Sequence, residues 1–437
     1  MQVERMTPAE ASEVLEQARR LGSGGLGNHN RVTVVETRRH GVAVVREPTP
    51  LANAKALQAP HRLLRMDPVV GTSRINQVLI ADNVERTPGI LWAGTPHAPT
   101  TIQTAVMRDG ALAPTLAMLD CAADPRLRAL VVEQFPHIAA QFDAVPLSAY
   151  PGGSPGPAAA SSIAEFWDKY AKAVRDRTGL YTPEKYGSFQ QACRQFGLGE
   201  LELLVPPPGE RATGFAEGRL APAQLSGHSH NLVLGDGDRL WSIDEDRVIP
   251  APLGFSVLTH IQNAHFVYRP DEVRLLLDGH LATVPRAERH AVAANEREGM
   301  RRVLGREAAA YLWHLNQLKT LRRSGQARPE APAWSGDLAR RLHESVNNVR
   351  VHVLGKRELA VGDVVERARA HLAGPSRQAK MIALANPRLA GEALRTPHAG
   401  WSAALKSGRS LPALRPPTAD RSIRQEKGPA LGEDWWR

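Results

Sequence analysis

A glycine-rich loop that leads directly into two β-branched segments sets the first limit on the fold. Residues 22–30 read GSGGLGNHN and are followed by RVTVVE at 31–36, a short turn, and VAVVRE at 42–47. Two such runs at this separation predict an antiparallel hairpin. Helical patterns dominate residues 254–372, so the chain is expected to combine a small β-sheet with many helices.

Local signals place several other elements. Thr7, Pro8 and Glu10 supply a capping hydroxyl, a proline at the first helical position and a capping-box carboxylate, which predicts a helix that ends at Gly22. Periodicity predicts further helices at 73–84 and 112–123, and strands at 90–94, 101–107, 232–234 and 239–244.

The composition is that of a globular protein. Of 437 residues, 42% are apolar and 23% are charged, which suits a chain with a substantial core. The sequence has neither a long apolar window nor an N-terminal secretory pattern, so we expect a protein that does not span membranes and is not conventionally exported. Cys121 and Cys193 are far apart, which predicts buried thiols in a reducing compartment without disulfides or thiolate zinc.

The basic charge is concentrated at the C-terminus. The net charge is +10, and residues 373–437 alone hold eleven basic and five acidic side chains. These charges are scattered among prolines and glycines, which favours a disordered basic arm over a folded reader of nucleic acid. The arm ends in Trp435 and Trp436 and could make weak contact with anionic surfaces such as lipid headgroups or RNA.

The domain organisation follows from these patterns. A linker rich in glycine, proline and small residues separates a β-containing part from a helical part. The predicted units are an N-terminal helix at 1–21, an N-lobe-like nucleotide-binding region at 22–147, a linker at 148–162, a mostly helical C-lobe at 163–372 and the disordered basic tail at 373–437.

A second polar segment, LSGHSHNLVLGDGDRLWSIDEDR at residues 225–247, has a spacing suited to metal binding. Asn231 and Asp244 are thirteen residues apart, an interval that two short strands and a tight turn would close. An amide and a carboxylate brought together in this way can hold Mg²⁺ against nucleotide phosphates. The segment is therefore a candidate site for phosphoryl transfer.

Residues 225–247 resemble the catalytic and metal-binding segment of the kinase-like superfamily, in particular its aminoglycoside phosphotransferase, phosphatidylinositol 3/4-kinase and HipA-like branches. Asn231 matches the metal-binding Asn, His228 the His before it and Asp244 the metal-binding Asp. The resemblance implies a two-lobed α+β kinase-like fold, with a small antiparallel β N-lobe and a mostly helical C-lobe. It further implies an ATP- and Mg²⁺-dependent phosphotransferase acting on a small-molecule or protein acceptor.

The glycine loop fits the same resemblance. Gly22, Gly24 and Gly27 satisfy G-x-G-x-x-G, but a helix precedes them and strands follow, which is the wrong order for a dinucleotide site. A glycine loop before a hairpin resembles the N-lobe opening of phosphatidylinositol-kinase-like members, where a Lys before Pro contacts phosphate. Arg46 replaces that Lys here, and a glutamate stands between it and the proline.

The segment also departs from the family pattern. Ser226 stands five residues before Asn231, where the family has its catalytic Asp, and a hydroxyl does not accept a proton at neutral pH as a carboxylate does. Three alternatives follow. His228 or His230 acts as the base, Asp246 is recruited from the next hairpin, or the domain is an inactive pseudokinase that binds a protein partner.

A different chemistry is also compatible with these residues. His228 and His230 would point to one face if they lay on a strand, and two imidazoles can bind one divalent ion. With Asp244 or Asp246 they would form the site of a metal-dependent hydrolase.

The cellular setting is suggested by composition alone. Residues rich in Gly, Ala, Arg and Pro are typical of a GC-rich bacterial genome. An atypical kinase-like core with a flexible N-terminus is compatible with an effector, so the expected location is the cytoplasm or a host cell reached without a conventional signal peptide.

Overall fold

The computed structural model describes most of the chain before residue 374. The described ranges are 3–22, 25–26, 30–48, 74–95, 98–121, 124–153, 160–178, 181–210, 218–224, 227–243, 248–263, 268–323 and 341–373. Beyond residue 373, the predicted basic tail lies outside them.

The N-terminal helix α1 (Pro8–Leu21) begins with the predicted capping box. The Glu10 N–H donates to Thr7 Oγ1 at 3.3 Å, and the Thr7 N–H donates to Glu10 Oε2 at 2.7 Å. These two bonds satisfy donors that the first helical turn would otherwise leave open. The apolar side of α1 packs on the following sheet in a small hydrophobic cluster.

Five strands form one antiparallel sheet in the order β1-β2-β3-β5-β4. Their bounds are β1 Gly25–Leu26, β2 Asn30–Thr37, β3 Gly41–Pro48, β4 Ile90–Thr95 and β5 Ala98–Thr104. The predicted hairpin is confirmed as β2–β3, in which Thr37 pairs with Gly41 across the turn. Helix α2 (Arg74–Ala81) lies between β3 and β4 in sequence and occupies most of the predicted helix at 73–84.

The helix predicted at 112–123 is wrong. A two-residue hairpin, β6 (Met107–Arg108) and β7 (Ala111–Leu112), is followed by turns instead. Thr115 forms a bridge with Val233, and the carbonyl of Pro114 accepts a hydrogen bond from Leu234 N–H at 3.2 Å. Pairing with a distant strand thus outweighs the local helical pattern.

The remaining described chain is mostly helical. The helices are α3 Pro125–Ala144, α4 Ile163–Thr178, α5 Pro183–Gln195, α6 Leu201–Leu204, α7 Phe255–Asn263, α8 Pro270–Thr283, α9 Arg289–Arg323 and α10 Val361–Ala373. Residues 341–348 are also helical and continue into the π-helical turn Val349–Val353.

Two strand pairs lie among these helices. The predicted hairpin near 232–244 is confirmed as β9 (Leu232–Gly235) and β10 (Arg239–Ser242). The pair β8 (Leu220–Gln224) and β11 (Val248–Pro252) was not predicted, because each strand contains a proline and Pro222 stands opposite Pro250.

One large hydrophobic cluster joins α2, α3, the two strand pairs and the later helices. Trp167 and Phe255 meet edge to face in it, with ring centroids 5.6 Å apart. Tyr150, from the segment predicted as a linker, is 1% exposed in the same cluster. Burial raises the thiol pKa of Cys121 and of Cys193 to about 12, so neither is a ready thiolate.

The predicted α+β fold class is confirmed. A small antiparallel sheet with its own helix precedes a mostly helical second part. Among the described helices, none has both the length and the apolar composition that a membrane span requires.

Candidate functional site

The candidate site is the loop 227–231 together with the β9–β10 hairpin. Leu232 pairs with Ser242, and beyond this pair the Ile243 N–H donates to the Asn231 carbonyl at 2.8 Å. The hairpin therefore brings Asn231 beside the residue that precedes Asp244. Asp244 itself lies outside the described residues, as does Asp246.

The residues before β9 form a turn. The Asn231 N–H donates to the His228 carbonyl at 2.8 Å. His228 is buried, whereas His230 is exposed, and their ring centroids are 6.0 Å apart with planes at 74°. The expectation that both histidines share one face of a strand is therefore wrong, because the turn gives the two rings different surroundings.

Neighbouring segments hold this loop and hairpin by backbone hydrogen bonds. The Ala117 N–H donates to the Ser229 carbonyl at 3.0 Å, and the Ser242 N–H donates to the Arg86 carbonyl at 2.8 Å. Arg86 precedes β4 of the sheet, and Ala117 follows β7. The candidate site is thereby tied to the N-terminal part of the molecule.

Strand β8 leads into the loop, and its last residue is held on two sides. The Gln224 N–H donates to Ser256 Oγ at 3.1 Å, and Thr259 Oγ1 donates to the Gln224 carbonyl at 3.0 Å. The Gln224 side-chain amide donates to Ser242 Oγ in the hairpin. Gln224 stands two residues before Ser226, which lies outside the described residues.

Arg46 occupies a defined position in the sheet. In β3 it pairs with Val32 on one side and with Thr101 on the other. Side chains alternate along a strand, so Arg46 lies on the face opposite Ala43 and Val45, which pack against α1. The side chain is half-buried.

Of the three glycines in the predicted phosphate loop, Gly22 is described. It follows α1 with φ at +73°, which favours glycine, and its carbonyl accepts from Thr33 Oγ1 at 3.3 Å. Its observed role is to end the helix before the sheet. Gly24 and Gly27 lie outside the described residues.

Asn231 is the described member of the predicted magnesium pair. It is 8% exposed, and its side-chain oxygen is a hard donor of the type that Mg²⁺ prefers. Within the described ranges, no three His, Cys, Asp or Glu side chains cluster as metal ligands. Asn231 fits a Mg²⁺ site at this hairpin only with a carboxylate such as that of Asp244 beside it.

Sequence reasoning missed the residues that hold the loop in place. Gln224, Ser256 and Thr259 contact one another across 32 and 35 positions of sequence. Such contacts leave no periodic signal in a single sequence, and an alignment of related sequences would be needed to find them.

No protein-family model matches the sequence, and no curated protein matches it. Solved structures are similar to it at low identity. Macrolide 2'-phosphotransferase MphH from Brachybacterium faecium is 12% identical with a TM-score of 0.39, over 85% of this chain and 100% of that one.

Two other solved structures have comparable scores. Spectinomycin phosphotransferase APH(9)-Ia, solved with ADP and spectinomycin, is 9% identical with a TM-score of 0.35, over 80% of this chain and 92% of its own. Choline kinase LicA from Streptococcus pneumoniae is 11% identical with a TM-score of 0.37, over 78% of this chain and 98% of its own. At such identities and TM-scores, the likeness identifies no activity for this chain.

Proposed function

We propose that this chain is an ATP- and Mg²⁺-dependent phosphotransferase of an atypical kinase-like type. One observation carries the proposal. The hydrogen bond from Ile243 N–H to the Asn231 carbonyl closes the hairpin and sets Asn231 beside the residue before Asp244. An amide and a carboxylate held at this position would bind Mg²⁺ and neutralise phosphate charge, which is most of what phosphoryl transfer requires of a protein.

Arg46 supplies the positive charge of the proposed site. A guanidinium stays charged at physiological pH and pairs with phosphate oxygens in a bidentate manner. In this proposal Gly22, Gly24 and Gly27 precede the hairpin and offer backbone N–H groups to the same phosphates. The acceptor is a small molecule or a protein.

The proton of the acceptor hydroxyl needs a base other than Ser226. His230 is exposed and can exchange protons with solvent, whereas His228 is buried, which favours His230 of the two. Asp246 is the third candidate. Loss of a dedicated base typically lowers a rate by about 10²–10⁴-fold, so slow transfer remains compatible with a serine at this position.

Nucleotide binding is tested first. We expect Mg²⁺ and ATP together to raise the melting temperature of the wild type, because a ligand that binds only the folded state stabilises it. Asn231→Ala and Asp244→Ala should lose the Mg²⁺-dependent part of this shift. Asp363→Ala, which removes an exposed carboxylate on α10, is the matched control and should keep it. A wild type with no shift would refute nucleotide binding.

Ser226 favours a second candidate, a pseudokinase scaffold that binds nucleotide or a protein partner without transferring phosphate. The two candidates differ in one measurement. Radiolabel transfer from ATP that is lost in Asp244→Ala supports the transferase and refutes the scaffold. Mg²⁺·ATP binding with no transfer to any acceptor, and no ATP hydrolysis, supports the scaffold.

A further inference from the structure

Helix α7 contacts the backbone on both sides of position 226. Ser256 and Thr259 hold Gln224 before it. One residue after it, the Gly227 carbonyl accepts a hydrogen bond from Nδ1 of His260. One short helix therefore holds the described residues on either side of positions 225 and 226.

The imidazole of His260 has a partner on each nitrogen. Because Nδ1 donates to a carbonyl, Nε2 is left to accept from the Tyr268 hydroxyl, at 2.6 Å. The ring stacks on Phe135 with centroids 3.8 Å apart and planes at 19°. These three contacts select one neutral tautomer and one ring orientation.

The environment keeps that tautomer neutral. Burial lowers the pKa of His260 to about 4, against the opposing effect of its bond to Gly227. Tyr268 is fully buried, and its main-chain carbonyl accepts from the Asn348 amide at 2.8 Å, which holds the backbone of the residue that bonds Nε2. The imidazole is thus a rigid donor at neutral pH.

The loop comes close to this ring pair at a glycine. A Cβ at Gly227 would lie 3.1 Å from Cζ of Phe135, so a larger residue would push the loop away from the Phe135–His260 stack. The absence of a side chain at position 227 therefore lets the carbonyl reach Nδ1 of His260.

We infer that His260 is a positioning residue of the proposed transfer site, whose Nδ1–H fixes the Gly227 carbonyl and so the course of residues 227–231 as they enter β9. The inference rests on the proposed function. His260 touches neither the nucleotide nor the metal in this arrangement. It acts through the turn that ends at Asn231, whose metal ligand must be placed accurately for transfer.

Two substitutions separate positioning from packing. His260→Phe keeps a ring that stacks on Phe135 but removes the donor to Gly227. His260→Asn loses the ring but can place an amide N–H near the position of Nδ1. If the hydrogen bond matters, His260→Phe should lower kcat for ATP turnover at least tenfold with less than a threefold change in KM, and His260→Asn should recover most of the loss.

A readout that does not depend on activity completes the test. Hydrogen–deuterium exchange of peptides covering 227–243 should increase in His260→Phe and return towards wild type in His260→Asn. Gly305→Ala controls for general destabilisation. Gly305 lies on α9, and the Cβ added there would meet the Leu204 carbonyl of α6. This variant should leave exchange in 227–243 and the ratio of kcat to KM unchanged.

The outcomes are distinguishable. A wild type that neither binds Mg²⁺·ATP nor turns it over refutes the proposed function. A wild type that does both, with a His260→Phe variant that keeps its kcat and its exchange in 227–243, refutes the role of His260 alone. Equal losses of kcat in His260→Phe and Gly305→Ala, at equal loss of melting temperature, also refute it.

Discussion

Nε2 of His280 lies 2.8 Å from Oδ2 of Asp143, and Nδ1 of the same imidazole lies 2.7 Å from Oε1 of Glu296. All three side chains are buried. Asp143 Oδ2 also accepts from the Gly254 N–H at 2.8 Å. One imidazole between two carboxylates thus ties α3, α8 and α9 to the turn that begins α7.

This cluster predicts a loss of stability at alkaline pH. Burial alone would lower the pKa of His280, but hydrogen bonds to Asp143 and Glu296 outweigh it and raise the pKa to about 9. Because the pKa of His280 in the folded state is above its unfolded value of about 6.5, protonation of this side chain stabilises the fold in full at pH values below about 6.5. The contribution, on the order of a few kcal/mol, should disappear as the pH rises from about 6.5 to 9.

Urea denaturation at a series of pH values measures this effect. The urea concentration at the unfolding midpoint of the wild type should decrease as the pH is raised from 6.5 to 9. His280→Asn should be less stable at pH 6.5 and should show a flatter dependence over the same interval. A wild-type midpoint that is constant from pH 6.5 to 9 would contradict a charged His280.

Helix α9 approaches α6 at a glycine, which predicts a selective effect of adding one methyl group. A Cβ at Gly305 would lie 2.5 Å from the backbone carbonyl oxygen of Leu204, and backbone cannot move aside as a flexible side chain can. We expect Gly305→Ala to lower the free energy of unfolding by about 1–3 kcal/mol.

Gly362 on α10 provides the control, because a Cβ there meets nothing within 4 Å. Gly362→Ala should be neutral or stabilising by up to about 1 kcal/mol, since alanine is the better helix former. Chemical denaturation of both variants checks the pair. Equal effects of the two substitutions would show that α6 and α9 are not in close contact.

Arg128 of α3 and Glu272 of α8 form a buried ion pair. Arg128 Nε donates to Glu272 Oε1 at 2.9 Å, and a terminal guanidinium nitrogen donates to Oε2. Among the described residues, Arg128→Met leaves the buried Glu272 carboxylate with only the Arg269 N–H at 2.8 Å and the exposed Arg269 guanidinium at 3.4 Å. It should therefore lower the free energy of unfolding by about 3 kcal/mol, the lower end of the cost of breaking a buried pair.

The double variant Arg128→Met with Glu272→Met leaves neither charge buried. It should recover part of that loss, because apolar residues of similar volume replace a pair whose desolvation is costly, while the bond from the Arg269 N–H to Glu272 is lost with the carboxylate. A double-mutant cycle measured by urea denaturation checks both values. A double variant as unstable as Arg128→Met would show that other contacts of Arg128, such as its position over the Tyr268 ring, dominate.

The sequence predicted those elements whose signals are local. The capping box at Thr7 and Glu10 and the hairpin β2–β3 depend on residues a few positions apart, and both are observed. The helix expected at 112–123 failed because Thr115 pairs with Val233, a contact over more than a hundred residues. Single-sequence periodicity carries no record of such pairing.

Predictions about the candidate site succeeded or failed for the same reason. The spacing from Asn231 towards Asp244 predicted a hairpin, and the bond between Ile243 and Asn231 agrees with it. The contact of His260 with Gly227 was beyond prediction, because nothing in the sequence distinguishes His260 from other histidines on a helix. The prediction of a two-histidine metal site assumed that His228 lies on a strand, but this residue lies in a turn.

The last prediction concerns Ser226, which stands where the resemblance places a catalytic carboxylate. Gln224, two residues before it, and Gly227, directly after it, are both held by α7, so the short segment that would carry an introduced carboxylate is anchored at both ends. If Mg²⁺·ATP binds as proposed, Ser226→Asp should raise the rate of phosphate transfer by about 10²–10⁴-fold, because it supplies the missing base.

Ser226→Asn is the matched control, since its side chain has nearly the same shape as Asp but does not act as a base. The measurement is a coupled assay of ADP release together with radiolabel transfer, at equal Mg²⁺·ATP saturation for each variant. The gain should vanish when Asp244→Ala is added, because a base without the metal cannot replace charge neutralisation. If Ser226→Asp is no faster than Ser226→Asn while both bind Mg²⁺·ATP, the residue at position 226 does not limit transfer.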